Sequence, residues 1–148
     1  MPKAVVVNTS CLIALEKIGK LELLCKLYDE VLVPLEVQEE FNNELLSCML
    51  IKKVRQLDKQ VLIEELNLGK GEAAAIALAL ETNKICVIDD SRARKIAKKM
   101  GVKITGTIGI LLLAEKTKII NSAYNEVKSL QKMGFFVSES LIKKIKKS

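Results

Sequence analysis

Short apolar strands alternating with helical segments predict an α/β fold of three layers, α/β/α, with a central parallel sheet. Three observations carry that expectation. The stretches Ala4 to Val7 and Ile85 to Ile88 are apolar throughout, as strands buried on both faces must be. Hydrophobic residues make up 49% of the chain but aromatics only 3%, with no Trp, so the core has to be built from Val, Ile, Leu and Ala. Each of the two strands also runs directly into polar residues where a helix begins, Asn8-Thr9-Ser10 in one case and Asp89-Asp90 in the other. That is where an open parallel sheet carries its chemistry.

Residues 4 to 8 read as the first strand, and Thr9 or Ser10 can cap a helix through about Ile18 that Gly19 ends. A second apolar-periodic stretch, Leu21, Leu23, Leu24 and Leu27, precedes a short strand at Val31 to Val33. Pro34 then falls at the favoured first position of a helix running to about Asn42. Between 44 and 66, Leu45, Leu46, Met49, Leu50, Val54 and Leu57 have helical spacing, and Val61 to Ile63 read as an extended piece. Gly69-Lys70-Gly71 punctuates the chain before Glu72, and the Ala-rich stretch to Glu81 is a strong helix former. The strand Ile85 to Ile88 follows. A helix over Arg92 to Met100 closes at Gly101, a strand at Val102 to Ile104 leads into Thr105-Gly106-Thr107, and Ile108 to Lys116 forms the next helix. Ser122 to Lys132 and Ser138 to Lys146 read as further helices separated by Gly134-Phe135-Phe136. With right-handed crossovers, this order places helices on both faces of the sheet.

The 148 residues suit one domain, 1–148, with 120–148 as a helical C-terminal extension. The longest apolar stretches, Ala73 to Leu80 and Ile108 to Ala114, fall far short of a bilayer span, so no membrane partner is expected. Met1-Pro2-Lys3 followed by Ala4 to Val7 mimics the start of a signal peptide, but Asn8 interrupts the run and no cleavage site follows. A cytoplasmic protein is the expectation. Cys11, Cys25, Cys48 and Cys86 are isolated and no histidine exists to complete a zinc set, so they read as buried thiols. The absence of histidine also removes every Ser-His or Cys-His nucleophile. Hydrolysis would need metal-activated water or a carboxylate base. The net charge of +6 favours polyanionic partners only weakly. Its basic residues concentrate at Arg92, Arg94, Lys95, Lys98 and Lys99, next to the aspartate pair, and in Lys143, Lys144, Lys146 and Lys147, a solvated helix face.

Only four aspartates occur, and two of them, Asp89 and Asp90, are adjacent at a strand end. Paired carboxylates raise each other's pKa and repel, so they require either solvent or a cation. Glu40 on the helix after Pro34 and Glu72 in the first turn of the Ala-rich helix could converge on the same edge. Oxygen ligands of this kind suit a hard divalent cation. Singly, Glu72 would serve as a helix-dipole partner, Glu40 as a surface residue, and either aspartate as a helix cap.

Five segments taken in order resemble the PIN-domain proteins, small metal-dependent ribonucleases that include VapC-type toxins, and most closely a prokaryotic PIN-like subgroup. They are VVVNTSCLIAL at 5–15, VPLEVQEEF at 33–41, LGKGEAAAIALA at 68–79, VIDDSRARKIA at 87–97 and GVKITGTIGILL at 101–112, covering the chain to about Ile119. The resemblance implies a Rossmann-like three-layer fold and a Mg²⁺ or Mn²⁺ site. By position Glu40 falls on the family's helix acid and Asp90 on its strand-end acid. Glu72 matches a glutamate of the subgroup, and Asp89 could substitute or assist.

The departure is Asn8, where the family's first strand usually ends in a ligating Asp. An amide keeps a carbonyl ligand but loses the charge, which weakens attraction for the ion and polarisation of its water. Three accounts are open: a weak or dead nuclease, compensation by Asp89, or an altered sequence. The leading expectation is an RNA-directed metal-dependent endonuclease with Asn8, Glu40, Glu72 and Asp90 around one or two ions. Thr9 and Ser10 would then offer donors to phosphate, and Arg94 or Lys98 would hold the RNA backbone. The alternatives are a degenerate member that binds nucleic acid or a protein without cleaving, and a phosphoacceptor receiver domain. Order argues against the receiver, whose acidic pair follows the first strand. The resemblance also suggests a homodimer, with Phe135, Phe136 and Val137 either at its interface or completing the core, and admits an antitoxin protein as partner.

Overall fold

Strand β1 (Ala4–Val7) lies at the centre of a five-stranded, all-parallel sheet in the computed structural model, which describes residues 4–147. Met1, Pro2 and Lys3, the segment resembling a signal-peptide start, lie outside the described residues, as do Ser148 and the Lys147 side chain. The chain continues through α1 (Thr9–Lys17), α2 (Leu23–Leu27), β2 (Glu30–Pro34), α3 (Leu35–Phe41), β3 (Met49–Lys52), α4 (Leu57–Glu64) and α5 (Lys70–Thr82). It then forms β4 (Ile85–Val87), α6 (Ser91–Lys99), β5 (Ile104–Thr105), α7 (Thr107–Lys116), α8 (Ala123–Lys132) and α9 (Glu139–Lys147).

The strand order is β3-β2-β1-β4-β5. The chain therefore winds outward on one side of β1 and returns to wind outward on the other, so the direction of travel reverses between β1 and β4. Ligands of open α/β sheets bind outside the carboxyl ends of strands at such a reversal. Alternation along β1 divides the core into two layers. Val5 and Val7 pack with Leu12, Leu15, Leu24, Ile110, Leu111 and Val127, on the side of α1, α2, α7 and α8. Val6 packs with Leu32, Ile63, Ile76, Cys86, Ile88 and Ala97, on the side of α4, α5 and α6. The alanines of α5 are fully or almost fully buried, so the helix can lie close against the sheet. The expected α/β/α architecture is thus the one observed. No helix among the described residues is long and apolar enough to cross a membrane.

Several local expectations are corrected. Residues 45–56 are not a helix: Met49–Lys52 is an edge strand paired with β2, with Met49 opposite Val31. Val61 to Ile63 are helical, within α4, rather than extended. The start of α4 has no local cap. The Glu81 carboxylate of α5 accepts from the N–H groups of Arg55 (3.0 Å) and Gln56 (3.2 Å), a partner no local pattern shows. Pro34 closes β2 and precedes the first helical residue of α3 rather than occupying it. The last short strand is Ile104–Thr105, not Val102 to Ile104. Phe135 is half-buried and Val137 buried in the core, whereas Phe136 points away from it. Leu57, Val61, Leu62 and Leu66 form a second exposed apolar group on and after α4.

The cysteine expectation is half overturned. Cys11 and Cys86 are free and buried, but Cys25 and Cys48 form a disulfide, with Cα atoms 5.7 Å apart. The sheet brings them together: Cys48 leads into β3, its carbonyl accepting from Val31 N–H at 3.1 Å, while Cys25 sits on the helix just before β2. Closing a loop of 23 residues restricts the unfolded chain, an effect of about 3 kcal/mol. Reduction, or paired Cys25→Ser and Cys48→Ser, should therefore lower the thermal midpoint measured by calorimetry. Identical midpoints with and without reductant would show that the pair is not joined in solution.

Candidate active site at the β1 and β4 strand ends

The β1 and β4 ladder ends with Asn8 N–H donating to the Val87 carbonyl at 3.2 Å, which sets the two polar strand ends side by side. Asn8 is the N-cap residue of α1, with extended backbone (φ −93°, ψ 167°), so neither Thr9 nor Ser10 caps the helix. Its side chain makes no capping bond. Asn8 is only 4% exposed, and its Oδ1 is buried without a hydrogen-bond partner. A buried carbonyl oxygen left unpaired costs free energy and requires an explanation.

Thr9 and Ser10, in the first turn of α1, point their hydroxyls in two directions. Thr9 Oγ1 donates to Glu40 Oε1 at 2.5 Å, and Ser10 Oγ donates to Asp89 Oδ2 at 3.1 Å. The Glu40 carboxylate lies against the start of α5 at Gly71. A Cβ there would stand 2.8 Å from the carboxyl carbon and closer still to Oε1, so only glycine admits the approach. Glu72, next on α5, reaches back to the Gly69 N–H at 3.4 Å, the half of a capping box that a glycine N-cap allows. The Glu72 carboxyl is pushed above its ordinary value of 4.5, chiefly by burial and further by the charges of Asp90 and Glu40, against the lowering effect of the Gly69 bond. Glu72 thus senses the charges of both Glu40 and Asp90.

The adjacent aspartates diverge. Asp90 is the N-cap of α6 and accepts from Ala93 N–H at 2.9 Å. Asp89 turns toward α7: its Oδ1 accepts from Thr107 N–H at 2.7 Å, and Oδ2 accepts from Thr107 Oγ1 at 2.6 Å as well as from Ser10. Arg94 Nη1 donates to the Ile88 carbonyl at 2.8 Å, holding the guanidinium near Asp89; a Cβ on Gly106 would stand 2.9 Å from both side chains. Lys98 is exposed one turn further along α6. Cys11 lies beneath this group with its thiol pushed up to about 12 by burial and by the Asp89 charge, partly offset by a bond with Thr107. Burial also raises Cys86. Neither thiol is a nucleophile near neutral pH.

The structure therefore divides the expected residues into two linked groups. Thr9, Glu40, Glu72 and Asp90 form one, with Asn8 adjoining Thr9 in the chain, and Ser10, Asp89 and Arg94 the other, while Lys98 stands apart on the surface. Gly71, Gly106 and Thr107 join the site without having been expected there. Thr107 is visible in the sequence only as a polar residue following glycine at a helix start. Among the described residues, no three Asp, Glu, Cys or His side chains gather closely enough to form a ready-made metal cage. The donor chemistry nevertheless fits a hard cation: the unpaired Asn8 oxygen is buried, and Glu40, Glu72 and Asp90 each engage one carboxylate oxygen in the bonds above.

The family model described as a PIN domain matches residues 4–148, extending past Ile119 through α8 and α9. No curated protein matches the chain.

The raised Glu72 carboxyl fixes the sign of a pH effect. A folded-state value above 4.5 means that the stabilisation is present below that pH and lost as pH rises through the raised value. In chelator, Glu72→Gln should raise the thermal midpoint at pH 8 and leave it nearly unchanged at pH 4. A midpoint lowered equally at both pH values would show that the bond to Gly69 outweighs burial and repulsion.

Proposed function

Because the chain belongs to the PIN-domain family, we propose that it is a metal-dependent endoribonuclease of the VapC type, working at the crevice between the β1 and β4 ends. The buried, unpaired Oδ1 of Asn8, next in the chain to Thr9 whose hydroxyl binds Glu40, carries this reading. Asn8, Glu40 and Asp90 would hold Mg²⁺ or Mn²⁺ through oxygen. When bound, the ion supplies charge to the scissile phosphate and lowers the pKa of water. Glu72, whose carboxylate is more basic than usual, accepts the proton of the attacking water at its free oxygen.

Asp89 assists from one step back. Its engagement with Thr107 and Ser10 fixes the starts of α7 and α1 relative to β4. The Thr9 and Ser10 hydroxyl protons already serve carboxylates, so phosphate would meet the main-chain N–H groups at the start of α1. Arg94 and Lys98 extend the RNA-binding edge along α6. A cytoplasmic location, a homodimer and an antitoxin partner belong to the same reading, and the exposed face of Leu57, Val61, Leu62 and Leu66 is available for a protein contact. The second reading, binding without cleavage, rests on Asn8 alone, because a neutral ligand leaves the crevice one negative charge short.

Replacing that ligand separates the two. Asn8→Asp should tighten Mn²⁺ binding in a calorimetric titration by about tenfold or more, at least the low end of what outer-shell changes produce, and should raise cleavage of a labelled RNA. Without metal it should lower the thermal midpoint, because a further carboxylate joins the crevice uncompensated. Unchanged metal affinity and cleavage would remove position 8 from the ligand set. Arg94→Ala should weaken RNA binding and reduce the salt slope by about one phosphate contact; an unchanged slope would place Arg94 away from phosphate.

A further inference from the structure

Beside the crevice, a groove of about 650 Å³ runs from Ser10, Asp89 and Arg94 to Phe135, Phe136 and Leu141. The volume is that of a small-molecule site. Its two ends differ in chemistry. At the inner end, Arg94 engages one nitrogen with the Ile88 carbonyl and leaves its remaining guanidinium N–H groups without a partner among the described residues. The Asp89 carboxylate is also there, but its oxygens already accept from Thr107 and Ser10. The outer end is apolar and aromatic, and Phe136 at its rim is 91% exposed.

The backbone of the loop carrying Phe136 is tied to α8 and to the core. Gly134 takes a left-handed backbone (φ +96°), which lets the chain turn back at the end of α8, with Gly134 N–H bonded to Gln131 O and Phe135 N–H to Leu130 O, both at 3.0 Å. Phe135 on one side is packed against the core and Val137 on the other is buried within it. The backbone at Phe136 is therefore held between two anchors that turn its side chain out to solvent, where the ring face is open to stacking.

We propose that this groove seats a nucleotide of the RNA substrate next to the scissile phosphate, its base stacked on Phe136 and its phosphate directed to Arg94. A nucleotide joins an anionic group to a flat π-face, and the two ends of the groove answer those two parts. Stacking on an aromatic ring is tolerant of base identity, so the subsite positions RNA rather than reading its sequence. The inference rests on the ribonuclease reading and adds to it a substrate-positioning residue outside the acidic crevice.

The chain contains no tryptophan, so Phe136→Trp gives a single fluorescent reporter at the proposed platform. Single-stranded RNA oligonucleotides would be titrated with and without Mg²⁺, following tryptophan emission and the anisotropy of labelled RNA. Quenching should saturate together with binding. Phe136→Ala should weaken binding by about fivefold or more, while Phe136→Trp retains affinity, and neither should change the salt slope because no phosphate contact is lost. RNA that binds Phe136→Ala as tightly as the parent, with no quenching of the introduced indole in Phe136→Trp, would overturn the subsite and leave the ribonuclease reading standing. Failure of the parent itself to bind RNA in either condition would overturn both. A change in sedimentation for Phe136→Ala with RNA affinity intact would assign the groove to a second copy of the chain and overturn the nucleotide.

Discussion

The hydrogen bond from Asn8 N–H to the Val87 carbonyl is the last rung between β1 and β4, and the candidate site depends on it. It holds the start of α1 beside the start of α6, so that residues about 80 positions apart in the chain share one crevice. The register behind it is supported on both sides, because Val5 and Val6 pair with β2 and β4 while their side chains enter opposite halves of the core. A register slip in β1 would turn Val6 toward the wrong layer, so core packing enforces the geometry of the site.

Charge in the crevice is managed by neutral donors rather than by ion pairs. Thr9 satisfies Glu40, Gly69 satisfies Glu72, Ala93 satisfies Asp90, and Thr107 with Ser10 satisfies Asp89. Each bond gives its carboxylate a donor that carries no opposite charge. The arrangement keeps the crevice negative, which a lysine in the same place would not. Glycine enters for a steric reason at Gly71, where any side chain would displace the Glu40 carboxylate from α5.

The sequence discloses what depends on local pattern. The buried strands Ala4–Val7 and Ile85–Val87 are legible because a wholly apolar run between turn signals has few alternatives; Asn8 and Asp90 stand out by the strand ends they follow, whereas Glu40 and Glu72 stand out only through the family resemblance. The edge strand Met49–Lys52 is not legible, because a strand solvated on its outer residues loses the apolar run that marks a central one. The start of α4 depends on Glu81, and the disulfide joins positions 23 apart, so neither leaves a trace in spacing. The different duties of Asp89 and Asp90 are equally hidden: adjacent residues leaving a strand diverge, and only the positions of α6 and α7 decide which acid meets which helix.

Asn8 now takes on a different meaning from the one its residue type suggested. Considered alone, an amide in place of a carboxylate is a loss. In its surroundings it is a buried oxygen without a donor, in a crevice where the neighbouring acids each have one. A site that had simply decayed would be under no constraint to keep an acceptor there, and an apolar residue of similar size would relieve the desolvation penalty. A neutral carbonyl can contribute a bond to a cation without adding to the repulsion that Glu72 meets from Glu40 and Asp90. The same neutrality leaves the empty crevice one negative charge lower than an aspartate at position 8 would, and lowers its attraction for any cation by the same cause.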